Sequence, residues 1–194
     1  MLLIVLVIVM LGVVAAHPII IKRRYIQSEA MQNIRENLQD GEELHFAERR
    51  IILKKINSEI MELRTTKAKI KTRLELNNEG NASELKIKLS NGRNAQIKIM
   101  PDTASEKALQ KLRLKNCNET RNCTIELKEV GEGNKTRVVY EARTRKTFKI
   151  WGFIKNHEEV LTQIDAETGE EIKVRRPWWA WMASESDEAD EIEE

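Results

Sequence analysis

Two cysteines and four Asn-X-Ser/Thr triplets are the residues of this chain whose spacing points most directly to chemistry. Cys117 and Cys123 are the only cysteines and lie six apart, around Asn118-Glu119-Thr120-Arg121-Asn122. A pair this close suits one local disulfide loop, and such a bond persists in an oxidising compartment. The triplets begin at Asn81, Asn118, Asn122 and Asn134. Each has the acceptor pattern for N-glycosylation in an exported chain.

The remaining reactive side chains form no constellation. The three histidines, His17, His45 and His157, are too far apart in sequence for metal-ligand spacing. No Gly-rich phosphate loop, nucleophile elbow or Walker pattern occurs. Asp165 sits in an Asp-x-x-Thr-Gly turn, where a carboxylate bonds its own backbone rather than a substrate. The expectation is a protein that is not an enzyme, with no cofactor, no metal and no catalytic residue.

The strongest binding candidate is aromatic. Trp178, Trp179 and Trp181 fall within Pro177-Trp178-Trp179-Ala180-Trp181-Met182. Two readings stand: the indoles cap a sheet core, or they form an exposed patch of the kind found at interface hot spots and lipid headgroups. Three indoles in four residues cannot all point into one small core. On an extended segment Trp178 and Trp179 face opposite sides. On a helical one Trp178 and Trp181 share a face and Trp179 points away.

Charge narrows the partners. A third of the 194 residues are charged, yet the formal net charge is +2. Residues 184–194 hold seven of the 31 acidic side chains and no basic one, so residues 1–183 carry 33 basic against 24 acidic, or +9. The expectation is a basic body with an acidic, disordered tail. The basic residues are interleaved with acids in the body, the pattern of a solvated surface, and nucleic acid is not expected as a partner.

The elements that must position these residues begin with an export segment. Residues 2–16 are apolar without interruption and end in Val14-Ala15-Ala16, as a signal-peptide core does. Extended through Ile19-Ile20-Ile21, the run of residues 2–21 is long enough to span a ~30 Å hydrocarbon core as an anchor. The basic cluster Lys22-Arg23-Arg24 follows it, which by the positive-inside bias favours a cytoplasmic body. The cysteine pair and the sequons favour the opposite side, and an extracytoplasmic location is the expectation, membrane-anchored or secreted.

Residues 26–39 read as a short helix, broken at Asp40-Gly41. Asp40 with Glu43 makes a capping box for a second helix. Along it Leu53, Ile56, Ile60, Leu63, Ile70 and Leu74 follow steps of three and four, with Lys67 in the one gap. This narrow stripe predicts a long charged helix, a stalk over 22–76. Two roles are open to it: docking on a sheet of the same chain, or homodimer formation through residues 42–74 as a coiled coil.

From residue 84 the apolar period changes to two. Leu85, Ile87 and Leu89, then Asn91-Gly92, then Ala95, Ile97 and Ile99 predict a hairpin. Pro101 ends it, and a helix follows through about Leu114. Strands are predicted over Thr124–Val130, Arg137–Ile150, 159–165 and 170–175. A helix followed by an antiparallel meander is an α+β layer.

The second half resembles the PepSY domain family. The family pattern is read in Thr103-Ala104-Ser105-Glu106-Lys107-Ala108, in Val138-Val139-Tyr140-Glu141-Ala142, and in Ile164-Asp165-Ala166-Glu167-Thr168-Gly169-Glu170. The resemblance covers residues 101–176, to which this chain adds the cysteine loop and the Trp-rich end. It implies a cystatin-like module, exported or at the cell surface, that regulates a protease.

The organisation expected is therefore α+β: an export or transmembrane segment (1–21), a helical stalk (22–76), a PepSY-like domain with its preceding hairpin (77–183) and an acidic tail (184–194). The expected function is a non-enzymatic extracytoplasmic binding or regulatory module with a protein partner at the cell surface and a membrane contact through the N-terminal segment. The alternative is a structural envelope protein that self-associates through the stalk.

Overall fold

A computed structural model describes residues 23–25, 34–46, 51–77 and 85–186. The expected export segment (1–21), Asn81 and residues 187–194 of the acidic tail lie outside the described residues. Among the described residues no helix is long and apolar enough to cross a membrane.

The described chain is mixed α+β, built on one large sheet that is mostly antiparallel. Its strands are β1 (Arg23–Tyr25), β2 (Glu43–Phe46), β3 (Ile51–Lys55), β4 (Met61–Arg64), β5 (Lys69–Thr72), β9 (Thr124–Val130), β10 (Arg137–Ile150), β11 (Ile154–Asp165) and β12 (Glu171–Arg175), neighbours in that order. A last strand, β13 (Ala183–Ser186), pairs with the far end of β10. A smaller sheet holds β6 (Leu76–Asn77), β7 (Lys86–Lys88) and β8 (Asn94–Gln96). The β7–β8 hairpin turns through Asn91-Gly92, with Gly92 at φ +81°. Of the two α-helices, α1 (Ile34–Asn37) is a single turn and α2 (Pro101–Leu112) packs across β10 and β11.

The long charged helix is not formed. Of residues 43–72, expected as its body, the described ones form strands β2 to β5 and the turns between them, and of the helix expected over 26–39 only Ile34–Asn37 is helical among the described residues. The apolar stripe has a different origin from the one its spacing suggested. Leu44 pairs with Leu53, Leu53 with Leu63, and Leu63 with Ile70, so four side chains from four strands stand in a row. All four are buried. Turns of five residues (56–60) and four (65–68) set Leu53, Leu63 and Ile70 ten and seven residues apart, and both separations are sums of three-and-four steps. Ile56, counted in the helical stripe, lies in a turn and is exposed.

Local chemistry favours this outcome. Ile51, Ile52, Thr65, Thr66, Ile70 and Thr72 are β-branched, stiff at χ1 and suited to a pleated surface. Asn57 Oδ1 accepts the backbone N–H groups of Glu59 (2.9 Å) and Ile60 (2.8 Å), which makes the β3–β4 turn. Thr65 Oγ1 accepts the N–H of Ala68 at 3.1 Å in the β4–β5 turn. The alternating charges become cross-strand neighbours on the other face of the sheet. Lys54 lies opposite Glu43 and Glu62, and Lys71 lies opposite Glu62 and Glu126. Glu43 is 3.6 Å from Arg64 and 4.0 Å from Lys54. Opposite charges at such positions support a sheet as i,i+4 pairs support a helix.

The two halves of the chain join where β5 pairs in parallel with β9, through Lys71↔Glu126 and Thr72↔Leu127. Buried Thr72 donates its hydroxyl to the Leu127 carbonyl at 2.8 Å. One hydrophobic cluster runs through both halves, from Leu53, Leu63 and Ile70 to Leu127, Tyr140, Phe148 and Ile164, with Ala104, Ala108 and Leu112 of α2 laid over it. In the expected layout these residues belonged to a stalk and a separate domain; in the structure they share a core.

The acidic tail also begins differently. Residues 184–186, expected as the start of a disordered segment, belong to β13.

Candidate docking surface

The loop from Pro177 carries the tryptophan cluster against the end of β10. Residues 180–182 form a single 3-10 turn, closed by Met182 N–H donating to the Trp179 carbonyl at 2.9 Å. This curvature separates the three indoles. Trp179 is half-buried and meets the ring of buried Phe148 edge-on, with centroids 5.3 Å apart. Trp178 and Trp181 point outward, 80% and 79% exposed. One indole thus fixes the loop and two are displayed.

A second aromatic pair stands beside them. β10 and β11 form a long hairpin, paired from Val139↔Asp165 to Ile150↔Ile154. Their neighbours stop short: β9 begins opposite Arg143 and β12 ends opposite Leu161, at the same level. Beyond it, residues 144–150 and 154–160 continue as a two-stranded arm, joined among the described residues by β13. Phe148 and Val160 on this arm still belong to the core, so only its end stands clear: the three residues from Phe148 to Trp151, at about 3.3 Å each, place the tip about 10 Å beyond the last buried ring. The tip is Trp151-Gly152-Phe153. Trp151 (φ +52°) and Gly152 (φ +81°) are both left-handed, as the central residues of a type I′ turn must be, in a three-residue loop where Phe153 N–H donates to the Ile150 carbonyl at 3.4 Å. A tryptophan in that conformation is uncommon and costs backbone energy. Trp151 and Phe153 are 73% and 74% exposed, and Ile154 beside them is exposed too.

β13 links the two pairs. Its first residue, Ala183, lies opposite Ile150, so Met182 and Trp151 are the next residues outward on adjacent strands. The exposed apolar side chains of Trp181 and Met182 therefore adjoin the hairpin tip. Trp151 and Phe153 were not among the sequence-derived candidates. Their signal is present in Lys149-Ile150-Trp151-Gly152-Phe153-Ile154-Lys155, a nearly symmetric run about a glycine that marks a turn inside one long hairpin.

The other candidates lie elsewhere. Cys117 and Cys123 form a disulfide, with Cα atoms 5.0 Å apart. It closes the loop between α2 and β9, the half-buried Cys117 packing against the core and Cys123 being buried. Asn118, Asn122 and Asn134 are exposed. Asn118 Oδ1 accepts the Thr120 hydroxyl at 2.8 Å, while the Thr136 hydroxyl of the Asn134 triplet donates to the Gly133 carbonyl at 2.8 Å. A cleft of about 600 Å³ lies between the β4–β5 turn, α2 and the disulfide loop. Two of its charges pair with opposite ones: Lys67 meets Glu106 at 2.7 Å and Lys71 binds Glu119. These contacts raise both lysines and lower Glu119 from their ordinary values.

No protein-family model, curated protein or solved structure matches this chain. The resemblance of residues 101–176 to the PepSY family finds no support there and rests on its quoted motifs.

Those motif residues have structural roles. Asp165 Oδ1 accepts the N–H groups of Glu167 (2.8 Å) and Thr168 (3.0 Å), making the β11–β12 turn. Tyr140 donates its hydroxyl to the Ile99 carbonyl at 2.8 Å, and burial raises its pKa. Glu141 is buried on the opposite sheet face. Burial alone would raise its carboxyl, but hydrogen bonds from Lys128 (2.5 Å), Gln163 (2.7 Å) and Arg143 (2.9 Å) outweigh it and hold the carboxyl below its ordinary range. This is a carboxylate locked into a sheet, not one offered to a substrate.

Proposed function

We propose that the chain is a non-enzymatic extracytoplasmic binding module that engages its target through its aromatic end. The carrying observation is the display of Trp151, Phe153, Trp178 and Trp181 on one hairpin tip and the loop beside it. Apolar rings this exposed are costly in water unless something covers them, and tryptophan is enriched where binding energy concentrates. The disulfide supports an oxidising location, because such bonds persist there. A cell-surface protease as target is the class that the PepSY-like motifs imply, and it rests on them alone. The alternative, self-association through a helical seam at 42–74, has less to support it, because the described residues of that span form strands β2 to β5 and turns rather than a helix.

The test is association of the full chain with cell-envelope fractions, compared with Trp151→Ala, Trp178→Ala and Trp181→Ala at matched melting temperature. A hot-spot ring costs on the order of 2 kcal/mol or more when truncated. Unchanged association in all three variants refutes the aromatic end as the site.

A further inference from the structure

The arm that carries Trp151 and Phe153 is also biased toward positive charge. From residue 142 to residue 157 it holds Arg143, Arg145, Lys146, Lys149 and Lys155 and no acidic residue. Lys149 and Lys155 lie directly opposite one another, one step below the apolar tip. The nearest acids in the hairpin, Glu158 and Glu159, sit lower, opposite Lys146 and Arg145. β13 runs from Ala183 opposite Ile150 to Ser186 opposite Thr147, and its one acidic residue, Glu185, lies opposite Phe148, below the tip.

We propose that the hairpin tip docks into the interface of an anionic lipid bilayer, with Trp151 and Phe153 at the headgroup level and Lys149 and Lys155 on the lipid charges. The inference rests on the aromatic end being the docking surface, and it names what that surface meets. Three features favour a bilayer over a protein. The rings sit on a convex projecting tip, whereas protein hot spots pair with well-packed pockets. Indoles and phenyl rings settle at the boundary between headgroups and acyl chains, where one edge is wet and one dry. Basic side chains next to such rings gain from the negative potential of anionic lipids, which falls off within a Debye length and so acts only on charges close to the surface. The lysines are within one or two residues of the tip, inside that range. The tight left-handed turn holds the rings at the extremity, and the paired strands satisfy their own backbone groups.

The test uses the full chain reconstituted into vesicles of phosphatidylcholine alone and of phosphatidylcholine with phosphatidylglycerol. Amide hydrogen exchange is read for the peptide covering residues 147–155. Exchange is expected to slow several-fold with the anionic vesicles only, and the slowing is expected to vanish at high salt. Trp151→Ala with Phe153→Ala is expected to abolish it. Both side chains are exposed, and an unchanged melting temperature shows that the variant is folded. Lys149→Gln with Lys155→Gln leaves the rings in place. At about fivefold per lysine, this variant should weaken docking on the order of twentyfold. No slowing with either vesicle overturns the proposal and leaves the aromatic end free to bind a protein. Equal slowing with neutral lipid overturns it too, since the basic arm would then contribute nothing. Slowing by heparin or a single-stranded oligonucleotide, without any lipid effect, overturns it in favour of a soluble polyanion. Failure of the envelope-association test in all single-ring variants would instead remove the reading beneath it.

Discussion

Leu63→Ala separates a one-sheet protein from a stalk joined to a domain. Leu63 is fully buried, between Leu53 on one side and Ile70 on the other. Truncating a buried leucine costs about 2 to 5 kcal/mol, more where the cavity cannot collapse. A sheet position held by two ladders has little freedom to collapse, so about 3 kcal/mol is a reasonable value. For a chain of this size each kcal/mol lowers the melting temperature by about 2 to 4 °C, giving a drop of about 6 to 12 °C. The assay uses the natural placement of the fluorophores. All four tryptophans lie between residues 151 and 181, so indole fluorescence reports only on the C-terminal half. If β5 and β9 join the halves into one cooperative unit, the fluorescence melt shifts by the full amount. A fluorescence midpoint within 1 °C of the parent, while far-ultraviolet dichroism shows a separate early loss, would refute the shared core.

Three further outcomes follow from local geometry. Reduction of the Cys117–Cys123 bond should lower stability by about 2 kcal/mol by the loop-closure estimate, and alkylated intact mass should show no free thiol before reduction. Gly131 has φ +88°, and a Cβ there would sit 2.6 Å from the Lys135 carbonyl oxygen, so Gly131→Ala should cost more than about 1 kcal/mol in denaturant titration. Glu141 has a lowered pKa in the fold, so its contribution is fully present above the unfolded value of about 4.3 and is lost as pH falls through the lower folded value. Glu141→Gln should therefore lose roughly 1 kcal/mol near neutral pH and flatten the acid limb of the stability curve; an unchanged acid limb would show that the carboxylate is not held by its three donors.

The C-terminal half was legible because its signals are long or chemically specific. Strands β9 and β10 match their expected spans from end to end, while Pro101, read as the end of the hairpin, is the first residue of α2. Asn91-Gly92 and Asp165 mark turns through named backbone requirements. Residues 43–72 were not legible for a reason that is also physical. Their strands are four or five residues long, too short for alternation to outweigh another period. With loops of matching length, the core row Leu53, Leu63 and Ile70 imitates a heptad seam, and charges paired across strands imitate the solvated faces of a helix. The β-branched residues and the Asn57 turn were the available counter-signals. At the candidate site, the split of Trp178 and Trp181 from Trp179 follows from the curvature of one turn. Trp151 and Phe153 escaped notice because the strand was taken to stop at Ile150, leaving the arm's tip unassigned.

The parallel joint between β5 and β9 sets a schedule for the growing chain. Thr72 must wait for Leu127, and everything between them, the small sheet, α2 and the disulfide loop, is made first. At roughly 5 to 20 residues per second, the 58 residues from Thr72 to Val130 take roughly 3 to 12 s to emerge. Throughout that interval β5 presents an unpaired edge with Ile70 beside it, the condition under which strands recruit strands from other chains. Non-local pairing of this kind is slow to form and open to misassembly. Chains that end before residue 124 are accordingly expected to aggregate, whereas chains that reach residue 130 have the partner strand that closes the edge.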